Sequence, residues 1–104
     1  SGLTYQALKE DEADIALVFA TDGRIEAFDF RLLTDDKGFF PNYALCPVVR
    51  TDTLKENPKV RGPLNRLASK LDDATMQRLN ARVDVDKVAI RKVARQFLEE
   101  EGLI

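Results

Sequence analysis

The side chains able to do chemistry in this chain are defined first by what is missing. There is no histidine, and Cys46 is the only cysteine among 104 residues. That inventory excludes a Cys/His zinc site, a Cys–His nucleophile pair and an internal disulfide. Two groups of carboxylates remain. Asp35-Asp36 runs into Lys37-Gly38, the composition of a solvated turn. Glu99-Glu100-Glu101 reads as the solvated end of a last helix, although acids there oppose the helix dipole. No catalytic residue, metal ligand or cofactor site is assigned. Two features are candidates for binding chemistry: the rings of Phe19 and Tyr43, and the polar pair Thr21-Asp22.

Aromatic ring faces attract cations, by about 0.5–2 kcal/mol per ring depending on desolvation. They suit a quaternary ammonium, which has no N–H to donate. Such a site needs rings on strand ends or loops, converging on one cavity. Phe19 ends the apolar run Ile15-Ala16-Leu17-Val18-Phe19, and Tyr43 lies between Pro41 and Pro47. By residue type alone, both are more often core or packing groups. Asp22 reads as a helix N-cap and first-turn acid. Thr21 stands open between a helix-start role and a hydrogen bond to a ligand carboxylate or hydroxyl.

The elements that must position these residues fall into two halves. In the first, Thr4 is a plausible N-cap for a helix over residues 5–9. Residues 15–19 have strand length and no polar alternation, which predicts a strand buried on both faces. Thr21-Asp22-Gly23 signals a turn or helix start, with Ile25, Ala27 and Phe28 on one helix face. Residues 30–33 read as a second strand, and residues 43–49 as a third extended piece, irregular or at an edge because of its prolines. The second half is helical. Thr51 or Asp52 is the expected cap of a short helix stopping before Pro58. Leu64, Leu67, Ala68 and Leu71 follow one helix face. Asp72 caps the next helix, with Met76, Leu79 and Val83 on its face. Ile90, Val93, Ala94, Phe97 and Leu98 form the stripe of the last, closed by Gly102.

The bulk properties are those of an ordinary soluble domain, and it is the strand-like and helix-like pieces above that make the chain an α/β fragment. Hydrophobic residues make up 44% and charged residues 33%, with a formal net charge of −2, so composition marks no special class. Lys and Arg alternate with Asp and Glu, which excludes a basic nucleic-acid surface. No apolar run reaches membrane-spanning length, and no signal-peptide pattern is present.

Two motifs carry a family resemblance: Val18-Phe19-Ala20-Thr21-Asp22-Gly23-Arg24-Ile25, and Asp35-Asp36-Lys37-Gly38-Phe39-Phe40-Pro41-Asn42-Tyr43-Ala44-Leu45-Cys46-Pro47. With Tyr5-Gln6-Ala7-Leu8, Val48-Val49-Arg50, Leu79-Asn80, Val83-Asp84-Val85, Phe97-Leu98 and Gly102-Leu103-Ile104, they resemble the C-terminal third of glycine betaine/choline substrate-binding proteins of osmoprotectant ABC transporters. The resemblance implies a partial type II periplasmic-binding fold, with few strands followed by a helix-rich C-terminal half. Residues 1–38 would be a remnant of the far lobe, strand-helix-strand. Residues 39–104 would cross the hinge and supply C-terminal helices of the near lobe. Phe19 and Tyr43 fall on the family's cage aromatics, the first being Phe here where Tyr is frequent, and Thr21 stands beside them.

The implied function is capture of glycine betaine, choline or a similar quaternary amine for import through an ABC permease, outside the cytoplasm and without catalysis or cofactor. The alternative is a small structural or protein-interaction domain whose aromatics are all core. Ring placement separates the two. A binding segment exposes Phe19 and Tyr43 together beside one concave surface, whereas an interaction domain buries and scatters them. The isolated chain is expected to bind ligand weakly. Its central strand needs partners, so a homo-oligomer, a covering chain or collapse of its own helices onto the strand is expected.

Overall fold

A computed structural model of the chain describes residues 2–104. These hold six α-helices and one 3-10 turn, and no β-strand among the described residues. The helices are α1 (Gly2–Lys9), α2 (Gly23–Ala27), α3 (Thr51–Glu56), α4 (Arg61–Ala68), α5 (Asp73–Asp84) and α6 (Ile90–Glu100), with the 3-10 turn at Pro58–Val60 before α4.

Capping chemistry explains some of the boundaries, the starts of α2 and α5 and the end of α6. Asp72 has an extended backbone and accepts from the Thr75 N–H at 2.8 Å, which starts α5 as expected. The Thr75 N–H also holds the Asp72 carboxyl below its usual range. Helix α6 ends in a Schellman motif. Gly102 has φ +63, its N–H reaches the Glu99 carbonyl, and the Leu103 N–H reaches the Leu98 carbonyl at 2.8 Å. Two expected caps differ. Arg50, with ψ 138, is the extended residue before α3, so Thr51 already lies inside the helix and neither it nor Asp52 caps it. Thr4 likewise lies within α1, which runs back to Gly2; burial of Tyr5, one residue later, anchors that helix in place of a cap.

The expected strands are extended or irregular chain without ladders. Residues 15–20 keep a strand's period of two in exposure. Ala16, Val18 and Ala20 are half-buried, while Ile15, Leu17 and Phe19 are 77%, 77% and 69% exposed. Burial on both faces is therefore not seen in this chain. A ladder needs a second strand about 4.8 Å away, and no described segment supplies one.

Size measures the consequence. The radius of gyration is 16.7 Å, against about 13 Å for a compact domain of this length. The accessible surface is 8518 Å², against about 5,900 Å² for a compact monomer. Among the described residues, only Tyr5, Ile25, Val93 and Phe97 form a buried apolar core. The helices of the second half do not close over residues 15–19. The folded unit that positions the site is the packing of α2 against α5, with α6 behind α5.

Candidate functional site

The site begins at a β-turn. The Phe19 carbonyl accepts from the Asp22 N–H at 3.1 Å, which puts Ala20 and Thr21 at the turn's centre. The two central carbonyls of such a turn point outward and need partners. Both find them on α5. Gln77 donates through Nε2 to the Ala20 carbonyl, and Asn80 through Nδ2 to the Thr21 carbonyl at 2.8 Å. Gly23 follows, buried against α5 so closely that a Cβ would lie 2.1 Å from the Ala81 nitrogen and 2.5 Å from the Asn80 carbonyl carbon. Only glycine permits that backbone-to-backbone approach.

Asp22 starts α2 as expected. Its Oδ1 accepts from the Arg24 N–H at 3.0 Å, and its carboxylate takes a bidentate pair from the Arg24 guanidinium at 3.0 and 2.7 Å. The guanidinium's hydrogen bonds are the main reason the Asp22 carboxyl is drawn down to about 2. Its negative charge is thereby matched within the chain rather than offered to a bound cation. The same guanidinium lies over the Tyr5 ring, 4.2 Å from its centroid. The Tyr5 hydroxyl is buried without a hydrogen-bond partner. Burial, reinforced by the adjacent Asp22 carboxylate, pushes its pKa up to about 12. Tyr5, Asp22 and Arg24 thus tie α1 to the start of α2.

The second aromatic arrives on a loop ordered by one carboxylate. Asp35 accepts from the Phe39 N–H at 3.0 Å and the Phe40 N–H at 2.8 Å. These backbone bonds, that from Phe40 first, hold its carboxyl below the ordinary range. The expected solvated turn is present, and it sets the path into Pro41 and Tyr43.

The structure brings two of the three sequence-predicted site residues into contact. The Phe19 and Tyr43 rings lie 6.0 Å apart at 89°, edge to face, yet they are 69% and 73% exposed. They form an open corner rather than a closed box. Two grooves flank α4, one lined by Leu45, Pro47 and Leu64 and one by Val49 and Leu54; Phe19, Thr21 and Tyr43 line neither. Thr21 is half-buried in the turn that follows Phe19, with its carbonyl held by Asn80. Sequence reasoning missed Gln77, Asn80 and the Tyr5–Arg24 stack. The available signal was two amide side chains at i, i+3 beside the apolar face of α5, a place where half-buried amides require acceptors.

Comparison with known proteins follows the same outline. The profile of the family described as the substrate binding domain of ABC-type glycine betaine transport systems matches residues 1–100. A glycine-betaine-binding protein of Pseudomonas aeruginosa is 44% identical over 104 residues, covering 100% of this chain and 33% of that protein. The carnitine transport binding protein OpuCC of Listeria monocytogenes is 38% identical over 97% of this chain and 33% of its own length. An ergothioneine transport permease/ergothioneine binding protein of Helicobacter pylori is 42% identical over 97% of this chain, but only 18% of that protein is covered. A crystal structure of a glycine betaine/carnitine/choline ABC transporter superposes with a TM-score of 0.92 at 39% identity, over 98% of this chain and 37% of that one. The chain thus spans between 18% and 37% of each of these proteins. It belongs to the family of substrate-binding domains of ABC-type glycine betaine transport systems.

Proposed function

We infer that this chain is the segment of a substrate-binding protein that contributes Phe19, Tyr43 and Thr21 to an aromatic cage for a quaternary amine osmolyte. The observation that carries this reading is the ring pair. Two aromatics 24 positions apart in the sequence meet edge to face while staying exposed. A core pair would be buried, and unrelated surface rings would be scattered, so the interaction-domain alternative is disfavoured. The ligands named for the relatives point the same way: glycine betaine, carnitine and ergothioneine all carry a trimethylammonium group.

In this reading residues 1–38 belong to the far lobe of a type II periplasmic-binding fold, and residues 39–104 cross the hinge and complete the near lobe. Phe19 and Tyr43 then come from opposite sides of the crossing. The remaining rings, and the groups that hold a ligand carboxylate, come from other parts of the binding protein. The role is capture and delivery to an ABC permease, with no bond made or broken. An importer collects its ligand outside the cytoplasmic membrane, so the binding protein works there.

The test uses the full-length protein that carries this segment. Calorimetric titration with glycine betaine should show Tyr43→Ala raising Kd about tenfold, the loss of about 1.4 kcal/mol. Tyr43→Phe keeps the ring face and should stay within about threefold of wild type. If both substitutions weakened binding equally with the fold intact, the hydroxyl would be the working group and the cage reading at this position would be wrong.

A further inference from the structure

Phe19 is the last residue of an extended segment, and its place cannot be set by a ladder on its N-terminal side within this chain. It is set from the C-terminal side, by the turn that follows. That turn makes one internal hydrogen bond, from the Asp22 N–H to the Phe19 carbonyl. Its two outward carbonyls are taken by the two amides of α5, one each. Gln77 and Asn80 stand at i, i+3, so they project from one face of α5 and meet consecutive carbonyls. Just beyond, Gly23 seats on the Asn80–Ala81 backbone of the same helix. Gln77, Asn80 and Ala81 of α5 therefore hold the turn at three successive points. The helix itself is anchored at its start by Asp72.

We propose that Gln77 and Asn80 are positioning residues for the ligand site: their amides clamp the Ala20 and Thr21 carbonyls and so fix the Phe19 ring and Thr21 against Tyr43. The inference rests on the cage reading above and goes beyond it, since both amides are spent on backbone carbonyls of the turn. Losing a donor leaves a half-buried carbonyl unsatisfied and frees the turn to rotate. A ring displaced by about 1 Å from a cation loses part of its attraction while the protein remains folded.

The test is calorimetry on the full-length protein, comparing wild type with Gln77→Met, Asn80→Leu and the double variant. These substitutions keep shape and remove the donors. The clamp predicts that Kd for glycine betaine rises at least tenfold in the double variant. The number of sites per protein stays near one, and the ligand-free thermal midpoint stays within a few degrees. A purely structural role instead lowers the number of competent sites and the midpoint together and leaves the Kd of the competent fraction unchanged. Where the double variant fails to fold, the single variants are read by the same criteria. An unchanged Kd in folded variants, or a loss that follows site number and midpoint, overturns the clamp while leaving the cage intact. Absence of binding by wild type to any quaternary amine overturns both.

Discussion

At the scale of single residues, the ionic chemistry near the site is internal to the fold. Asp22 caps α2, holds Arg24 in a fork and has its carboxyl drawn to about 2 from an ordinary 3.8. A carboxyl whose folded pKa is depressed adds stability above its free pKa, and that stability is lost as pH falls towards the folded value. The window is therefore from about pH 4 down to about 2. With the screening due to partial solvent contact, the contribution is about 1 kcal/mol. Asp22→Asn keeps a good cap and loses the ion pair. Urea unfolding of wild type and Asp22→Asn should accordingly differ by about 1 kcal/mol near pH 6 and converge near pH 2; parallel curves would refute the assignment. Asp22 was legible as a cap because Thr21-Asp22-Gly23 is a helix-start signature. Its pairing with Arg24 was not, because a capping residue's second partner depends on a rotamer and not on spacing. The pairing of Phe19 with Tyr43 was legible only through the family resemblance, since ring type alone favours a core role for each.

At the scale of elements, the decisive contact is α2 lying backbone to backbone on α5. Gly23 makes it possible. Gly→Ala in a helix ordinarily stabilises by up to about 1 kcal/mol, but here the added Cβ meets the Ala81 nitrogen at 2.1 Å. Gly23→Ala should instead destabilise by about 2–3 kcal/mol, as overpacking does. Thermal unfolding reads this directly, and a variant as stable as wild type would mean that α2 and α5 do not meet as described. Helices α4, α5 and α6 were legible because their apolar residues repeat at helical spacing and because Asp72 and Gly102 punctuate them. The strands were not realised as strands, for a reason that no periodicity encodes. Residues 15–19 have the composition of a buried strand, but pairing is a property of the neighbour, and no segment among the described residues pairs with them. Residues 15–20 do keep an alternation of exposure with period two, one side half-buried and the other exposed.

At the scale of the whole molecule, the chain exposes about 2,600 Å² more than a compact monomer of its length, 8518 Å² in all. Ile15, Leu17, Leu33, Phe39 and Val48 lie on that surface. Exposed large apolar side chains of this kind are expected to associate, and an identical chain is the partner always present. Light scattering on the isolated 104-residue chain should therefore show dimers or larger species at high concentration. A well-behaved monomer would show that the helices close over the strand in solution and that the chain completes its own core.

The central claim is that ring faces recognise the positive charge of a quaternary amine. Glycine betaine and 3,3-dimethylbutanoate share shape and carboxylate, and differ in a nitrogen that carries charge and a carbon that does not. Two rings supply about 1–4 kcal/mol to the cation alone, roughly one to three decades of affinity. Calorimetric titration of the full-length protein with both compounds should show glycine betaine binding at least tenfold more tightly. Equal affinity, or tighter binding of the carbon isostere, would contradict the cage.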